Sequence, residues 1–149
     1  MPVPQESQSR TRAFARALGP FLAIAPAIIA LRASSMGALT SDFFRSDYVV
    51  WFTGAALLFG GIVIIAFHQY WSNVAAVLIS VFGWFLALRG MVLMVAPDLY
   101  ERAALSVTMA ADAIPLIRLM FGVLAAIGLY LTFVGWRARP VSPSATHSL

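Results

Sequence analysis

The sequence predicts an all-α, polytopic membrane protein in which four transmembrane helices form a bundle. Of its 149 residues, 61% are hydrophobic and only 11% are charged, whereas about a quarter of the residues of a soluble domain are charged. No Asp, Glu, Lys or Arg occurs in the 41 residues between Asp47 and Arg89. A helix of that length would reach roughly 60 Å, about twice the thickness of the hydrocarbon core, so this stretch must fold back on itself.

The first span has the shortest uncharged core, the 15 residues from 17 to 31. Arg16 and Arg32 at its ends can extend their charged groups to the interface, which brings the span to about 20 residues. Arg10 and Arg12 ahead of this core also fit the outline of a secretory signal. No small-x-small cleavage site is followed by a soluble domain, so we expect the helix to be retained.

The second and third spans are separated by HQYWSN, residues 68–73. Polar residues interrupt the apolar pattern there, and Trp and Tyr prefer the level of the lipid headgroups. We therefore expect a structural turn at His68 and Trp71, with His68 forming hydrogen bonds at the interface. The third span ends at Pro97, because proline cannot continue the helical hydrogen-bond pattern.

The fourth span begins near Ile114, where Pro115 suits a first helical turn. The four predicted spans cover residues 14–34, 48–70, 73–96 and 114–136. They lie within a membrane domain of residues 11–139, and the Pro- and Ser-rich ends are predicted to be disordered tails at residues 1–10 and 140–149. Five arginines lie on the tail side and three in the opposite loops, so the positive-inside rule predicts cytoplasmic tails.

The loops opposite the tails contain helix signals of their own. Ser and Asp side chains can accept the free amide protons of a first helical turn; the candidate start residues are Ser41, Ser46 and Asp47. In the segment 97–115, apolar residues recur at helical spacing: Leu99, Ala103, Val107 and Ala110 or Ala111. This spacing is typical of a short amphipathic helix that lies in the membrane interface.

Small residues form a stripe along each of the last three spans, and close helix contacts in lipid depend on such residues. The stripes consist of Gly54, Gly61 and His68; Ala76, Ser80, Gly83, Ala87 and Gly90; and Ala125, Gly128, Thr132 and Gly135. They predict a compact antiparallel bundle, with a ligand groove or an oligomer contact as the alternatives.

Arg89 places a permanent charge inside the third span, about 12 Å from Pro97. It can extend to the interface or pair with an acid, the nearest of which are Asp98, Glu101 and Asp112. Alternatively, three arginines line an outward-facing pocket for an anion such as a lipid phosphate or a carboxylate: Arg89, Arg118 and Arg32. A third possibility is a contact between Arg89 and another membrane subunit.

Composition argues against several other functions. The chain has no cysteine, hence no disulfide and no thiolate metal site. No nucleophile, general base and orienting group come together, and no span contains a carboxylate, so we expect neither catalysis nor proton-coupled transport. The net charge of +4 comes from arginines at helix ends, which does not indicate nucleic-acid binding. Ligation of haem or a metal by His68 alone is a weak alternative, and we expect no cofactor and no metal.

Residues 60–97 resemble a pattern found in small, uncharacterised bacterial integral membrane proteins. The matching positions are His68, Trp71, Gly83, Trp84, Arg89, Gly90 and Pro97. The resemblance implies a four-helix protein of the bacterial inner membrane and no particular activity. From the sequence we expect a non-enzymatic accessory or scaffold subunit that contacts other membrane proteins or further copies of itself. The alternative is a small lipid- or anion-binding protein or transporter that uses the arginines.

Overall fold

The structure, a computed structural model, describes residues 5–68, 71 and 73–137, with the backbone alone for residues 5–10. Those residues form a short 3-10 turn, Ala33–Ser35, and helices α1 (Gln5–Leu31), α2 (Met36–Phe44), α3 (Asp47–Phe67), α4 (Val74–Val95), α5 (Pro97–Thr108) and α6 (Ala113–Trp136). Four helices, α1 from Thr11 onward, α3, α4 and α6, are long and apolar enough to cross a membrane. The predicted all-α fold class with four membrane helices is confirmed.

Local capping explains where the central helices begin. The Ser46 side chain accepts a hydrogen bond from the Val49 amide (3.4 Å), so α3 begins at Asp47. The Asn73 side chain likewise accepts from the Ala76 amide (2.9 Å) at the start of α4. Each bond satisfies an amide that has no partner within the first turn of the helix.

Helix extends beyond the predicted spans in two places. Residues 1–10 have the composition of a disordered tail, but α1 already begins at Gln5, because Gln, Glu and Arg are good helix formers and extending an existing helix is far easier than starting one. Helix α2 occupies a segment that was expected to be a loop, and Ser41 lies inside it. The predicted tail at residues 140–149 lies outside the described residues.

The membrane helices pack as two antiparallel pairs, α1 with α6 and α3 with α4. Glycine permits this close approach: a Cβ atom on Gly128 would collide with the backbone of α1 at Ala23, and one on Gly61 would collide with the backbone of α4 at Ala87. The small-residue stripes therefore form contacts within the chain, as expected for lipid-embedded helices.

The two pairs meet mainly where α1 contacts α4. All four membrane helices contribute to one apolar core in the tail-side half of the bundle, formed by Ala15, Leu22, Ile64, Ala75, Ile79 and Leu131. The opposite half has only a small buried cluster, Ala33, Ala113 and Ile117. The bundle is thus filled at the tail end and less tightly filled at the other.

Candidate functional site: a roofed cavity at one end of the bundle

Helices α2 and α5 form a roof over the end of the bundle opposite the tails. They run antiparallel: a Cβ atom on Gly37 would lie 3.5 Å from the carbonyl oxygen of Thr108, and the rings of Phe44 and Tyr100 lie 6.1 Å apart at the other end of the pair. This pairing joins two loop segments that are separated in sequence by the whole of α3 and α4.

Both roof helices turn one face toward a cavity beneath them. The residues that line it recur with the same spacing in each helix: Met36, Leu39, Thr40, Phe43 and Phe44 in α2, and Tyr100, Ala103, Ala104, Val107 and Thr108 in α5. This is the i, i+3, i+4, i+7, i+8 pattern of a helix that covers an apolar interior. Arg102 and Ser106, between these positions on α5, are exposed.

The cavity has a volume of about 520 Å³ and is partly open to its surroundings. Its remaining walls come from the four membrane helices, through Ile29, Thr53, Arg89, Leu93, Ile117, Met120 and Phe121. The volume falls within the range of small-molecule sites, and so does the composition, an apolar wall with a few polar groups.

Arg89 is the one charged side chain among the described residues that line this cavity. Its guanidinium carbon lies 5.5 Å from the centre of the Tyr100 ring, a cation–π contact. No acidic side chain of the described residues comes within 4.0 Å of it; the ion pair that forms in this part of the chain joins Arg45 to Asp42 at 3.0 Å, on the surface. Arg89 thus faces an apolar space without a counter-ion from the described chain.

The acids expected near Arg89 lie elsewhere. Asp98 and Glu101 line a separate, smaller cavity of about 190 Å³ together with Asp47, and Asp112 is exposed just before α6. Asp98 and Glu101 flank Leu99, so they occupy positions on α5 outside the set that lines the roofed cavity. Neutralisation of Arg89 by a neighbouring acid, one expectation from the sequence, is therefore absent from the described part of the chain.

Arg118 and Arg32 do not join Arg89 at the cavity, which corrects the expectation that all three arginines line one pocket. Ile117 is buried and lines the cavity, and Arg118 follows it by one residue. Consecutive helical residues point about 100° apart, so Arg118 is directed outward and is exposed. Arg32 is exposed at the break between α1 and the 3-10 turn.

His68, at the opposite end, is fully buried and not at the interface as the sequence suggested. Its Nε2 atom lies 3.1 Å from the Thr11 hydroxyl oxygen, and the Ser80 hydroxyl donates to the His68 carbonyl oxygen (3.2 Å). The Phe14 ring packs edge-on at 5.3 Å. Burial lowers the pKa of His68, which follows the last residue of α3, because the charged form is poorly solvated there.

The His68 cluster is therefore structural in character. It connects α1, α3 and α4 at a point where sequence reasoning placed an exposed turn, and only the spacing of seven residues in Gly54, Gly61 and His68 indicated an inward position. Trp71, the other predicted turn residue, is exposed. No group of three or more His, Cys, Asp or Glu side chains capable of holding a metal ion occurs in the described residues.

Comparison with known proteins adds no family to this description. No protein-family model, curated protein or solved structure matches the chain.

Proposed function

We propose that this chain is a non-enzymatic membrane protein that binds an anionic amphiphile in the roofed cavity, with Arg89 contacting the acidic headgroup. One observation carries the proposal: an arginine within a membrane span, lacking an acidic partner in the described chain, opens into an apolar cavity of about 520 Å³. An intramembrane charge is costly unless it is paired, and its usual role is functional.

The chemistry of the cavity matches both parts of such a ligand. A guanidinium group forms two parallel hydrogen bonds with a carboxylate or a phosphate. The apolar faces of α2 and α5, together with Ile117 and Phe121, offer a surface for hydrocarbon. An amphiphile would therefore neutralise Arg89 and fill the apolar space at once, which neither a small inorganic anion nor a neutral lipid would do.

The location belongs to the same proposal. The chain is a multi-pass membrane protein with four candidate spans, and the excess of arginine on the tail side supports cytoplasmic tails in a bacterial inner membrane. The cavity would then take its ligand from the outer leaflet. The accessory-subunit role has less support, because the small-residue faces that suggested it are largely used within the chain.

The test compares anionic amphiphiles with their neutral counterparts on the full-length protein. We would purify it in a mild neutral detergent and record bound mass by native mass spectrometry after adding oleate or phosphatidylglycerol, and in parallel oleyl alcohol or diacylglycerol. We expect at least one anionic probe to bind to the wild type and Arg89→Gln to weaken that binding by about 10-fold or more, as expected for loss of a charge-assisted hydrogen bond.

Arg118→Gln is the matched control, because it removes the same charge from a membrane helix at a position outside the cavity. We expect its binding to equal that of the wild type. Equal binding of anionic and neutral probes, or equal losses in the two variants, would contradict the proposal.

A further inference from the structure

We infer that the ligand of the roofed cavity has a single hydrocarbon chain and one carboxylate, as in a long-chain fatty acid. This inference rests on the proposed function and specifies its ligand class. Three features of the site carry it: the polarity changes along the cavity, the roof is closed at both ends, and a single charged residue lines the walls.

The cavity is polar at one end and apolar at the other. Arg89 and Tyr100 lie together near the start of α5. At the far end of the roof, Ile29, Met36 and Phe121 pack against the buried cluster that contains Ile117, and all four line the cavity. The path along α5 from Tyr100 to Thr108 is about 12 Å long, so the site has the shape expected for a head at one end and a chain that extends away from it.

The roof leaves room for one chain. Contacts between Phe44 and Tyr100 join the helices at the polar end, and Gly37 lies against Thr108 at the apolar end. The volume of about 520 Å³ between roof and bundle is typical of sites for drug-sized molecules, which a two-chain phospholipid exceeds. A second chain would have to remain outside, on the lipid-facing surface.

The charge of the site favours a carboxylate over a phosphate monoester. Arg89 supplies one positive charge, and the other polar residues that line the described walls, Thr40, Thr53, Tyr100 and Thr108, are neutral hydroxyl groups. A carboxylate carries one negative charge, whereas a phosphate monoester carries about 1.5 to 2 at pH 7. One guanidinium balances the former and leaves part of the latter unpaired in an apolar site.

The inference predicts an order of affinity for three probes in direct competition on the full-length wild-type protein. In native mass spectra we expect oleate to displace phosphatidylglycerol and oleyl phosphate, each with at least 10-fold preference. Equal or tighter binding of phosphatidylglycerol would overturn the single-chain inference, and tighter binding of oleyl phosphate would overturn the carboxylate. In both cases Arg89-dependent binding of that probe would leave the proposed function intact, whereas the absence of any Arg89-dependent binding would remove the proposed function itself.

A variant in the roof provides a second readout, chain length. Ala104 lines the cavity near the middle of α5, so Ala104→Phe should shorten the space and weaken oleate binding at least 5-fold while octanoate binding is unchanged. Ser106→Phe places the same ring on the exposed face of α5 and should leave both affinities unchanged. Parallel loss of oleate and octanoate in Ala104→Phe, or an unchanged chain-length preference, would contradict a chain that lies along α5.

Discussion

The two ends of the bundle treat their polar side chains in opposite ways. At the tail end, His68 is enclosed among Thr11, Phe14 and Ser80, with hydrogen bonds to the hydroxyl groups. At the other end, Arg89 faces a cavity of about 520 Å³ and contacts only the ring of Tyr100. The first end is packed around its polar group, and the second leaves space beside its charge.

The difference shows which polar residue is available for binding. A buried group whose hydrogen bonds are made within the chain contributes to the packed structure, because the alternative is an unsatisfied group in an apolar interior. A charge beside an apolar space, with no acid close to it in the described chain, is left to be neutralised by something else. His68 has the more unusual chemistry as a residue type, but Arg89 has the more unusual environment.

The largest effect should come from breaking the α1–α6 contact, on which both ends depend. In Gly128→Leu the added side chain would collide with the α1 backbone at Ala23, which cannot yield as a flexible side chain can. We expect a loss of stability at or above the upper end of the roughly 1–3 kcal/mol typical of overpacking, measured as thermal unfolding in detergent.

The control for this variant lies on the same helix. A Cβ atom on Gly122 would meet no atom of a neighbouring helix within 4 Å, so Gly122→Leu should unfold at the wild-type temperature. Similar losses in both variants would mean that glycine is needed in α6 for a reason other than close packing.

Removal of the imidazole should affect the tail end alone. His68→Ala leaves a cavity and removes a partner from the buried hydroxyl groups of Thr11 and Ser80, so we expect a loss of about 2 kcal/mol. Oleate binding by the folded fraction should be unchanged, because Arg89 is at the opposite end. His147→Ala removes the chain's other histidine, which lies outside the described residues. A variant at His68 that kept full stability but lost binding would reverse the assignment of the two ends.

Protonation of His68 should have a smaller effect than its removal, because the ring stays in place. Burial lowers the pKa of His68 below the ordinary value of 6.5, so below pH 6.5 the unfolded chain binds more protons than the folded one. Stability should therefore be greatest above pH 6.5 and should fall as the pH is lowered from 6.5 through the pKa of the folded state. Thermal unfolding of His68→Asn should lack this component; an equal pH dependence in that variant would assign it to other groups.

The smallest effect should come from the ring over Arg89. A partly exposed cation–π contact contributes about 0.5–1 kcal/mol, so Tyr100→Leu should weaken oleate binding about 2- to 5-fold. Tyr100→Phe keeps the ring and should bind as the wild type does. A loss in Tyr100→Phe equal to that in Tyr100→Leu would show that the hydroxyl group, and not the ring, acts on the ligand.

The sequence by itself determined the number of membrane helices, the faces through which they pack and the importance of Arg89. These properties depend on local patterns: uncharged runs long enough to span a bilayer, small residues at helical spacing, and one charge inside an apolar run. The choice of Ser46 among three possible starts of α3 shows how far this reasoning extends, since all three residue types fit and the actual cap decides.

Only the tertiary structure decided which polar residues are enclosed and which face a cavity. The roof pairs α2 with α5 across two membrane helices, and nothing in the local pattern of either segment specifies that partner. The same holds for His68, which neighbours an exposed Trp71 in sequence but is covered by Thr11 and Ser80 from other helices. Burial depends on what the rest of the chain places around a residue, and periodicity reports only the direction in which that residue points.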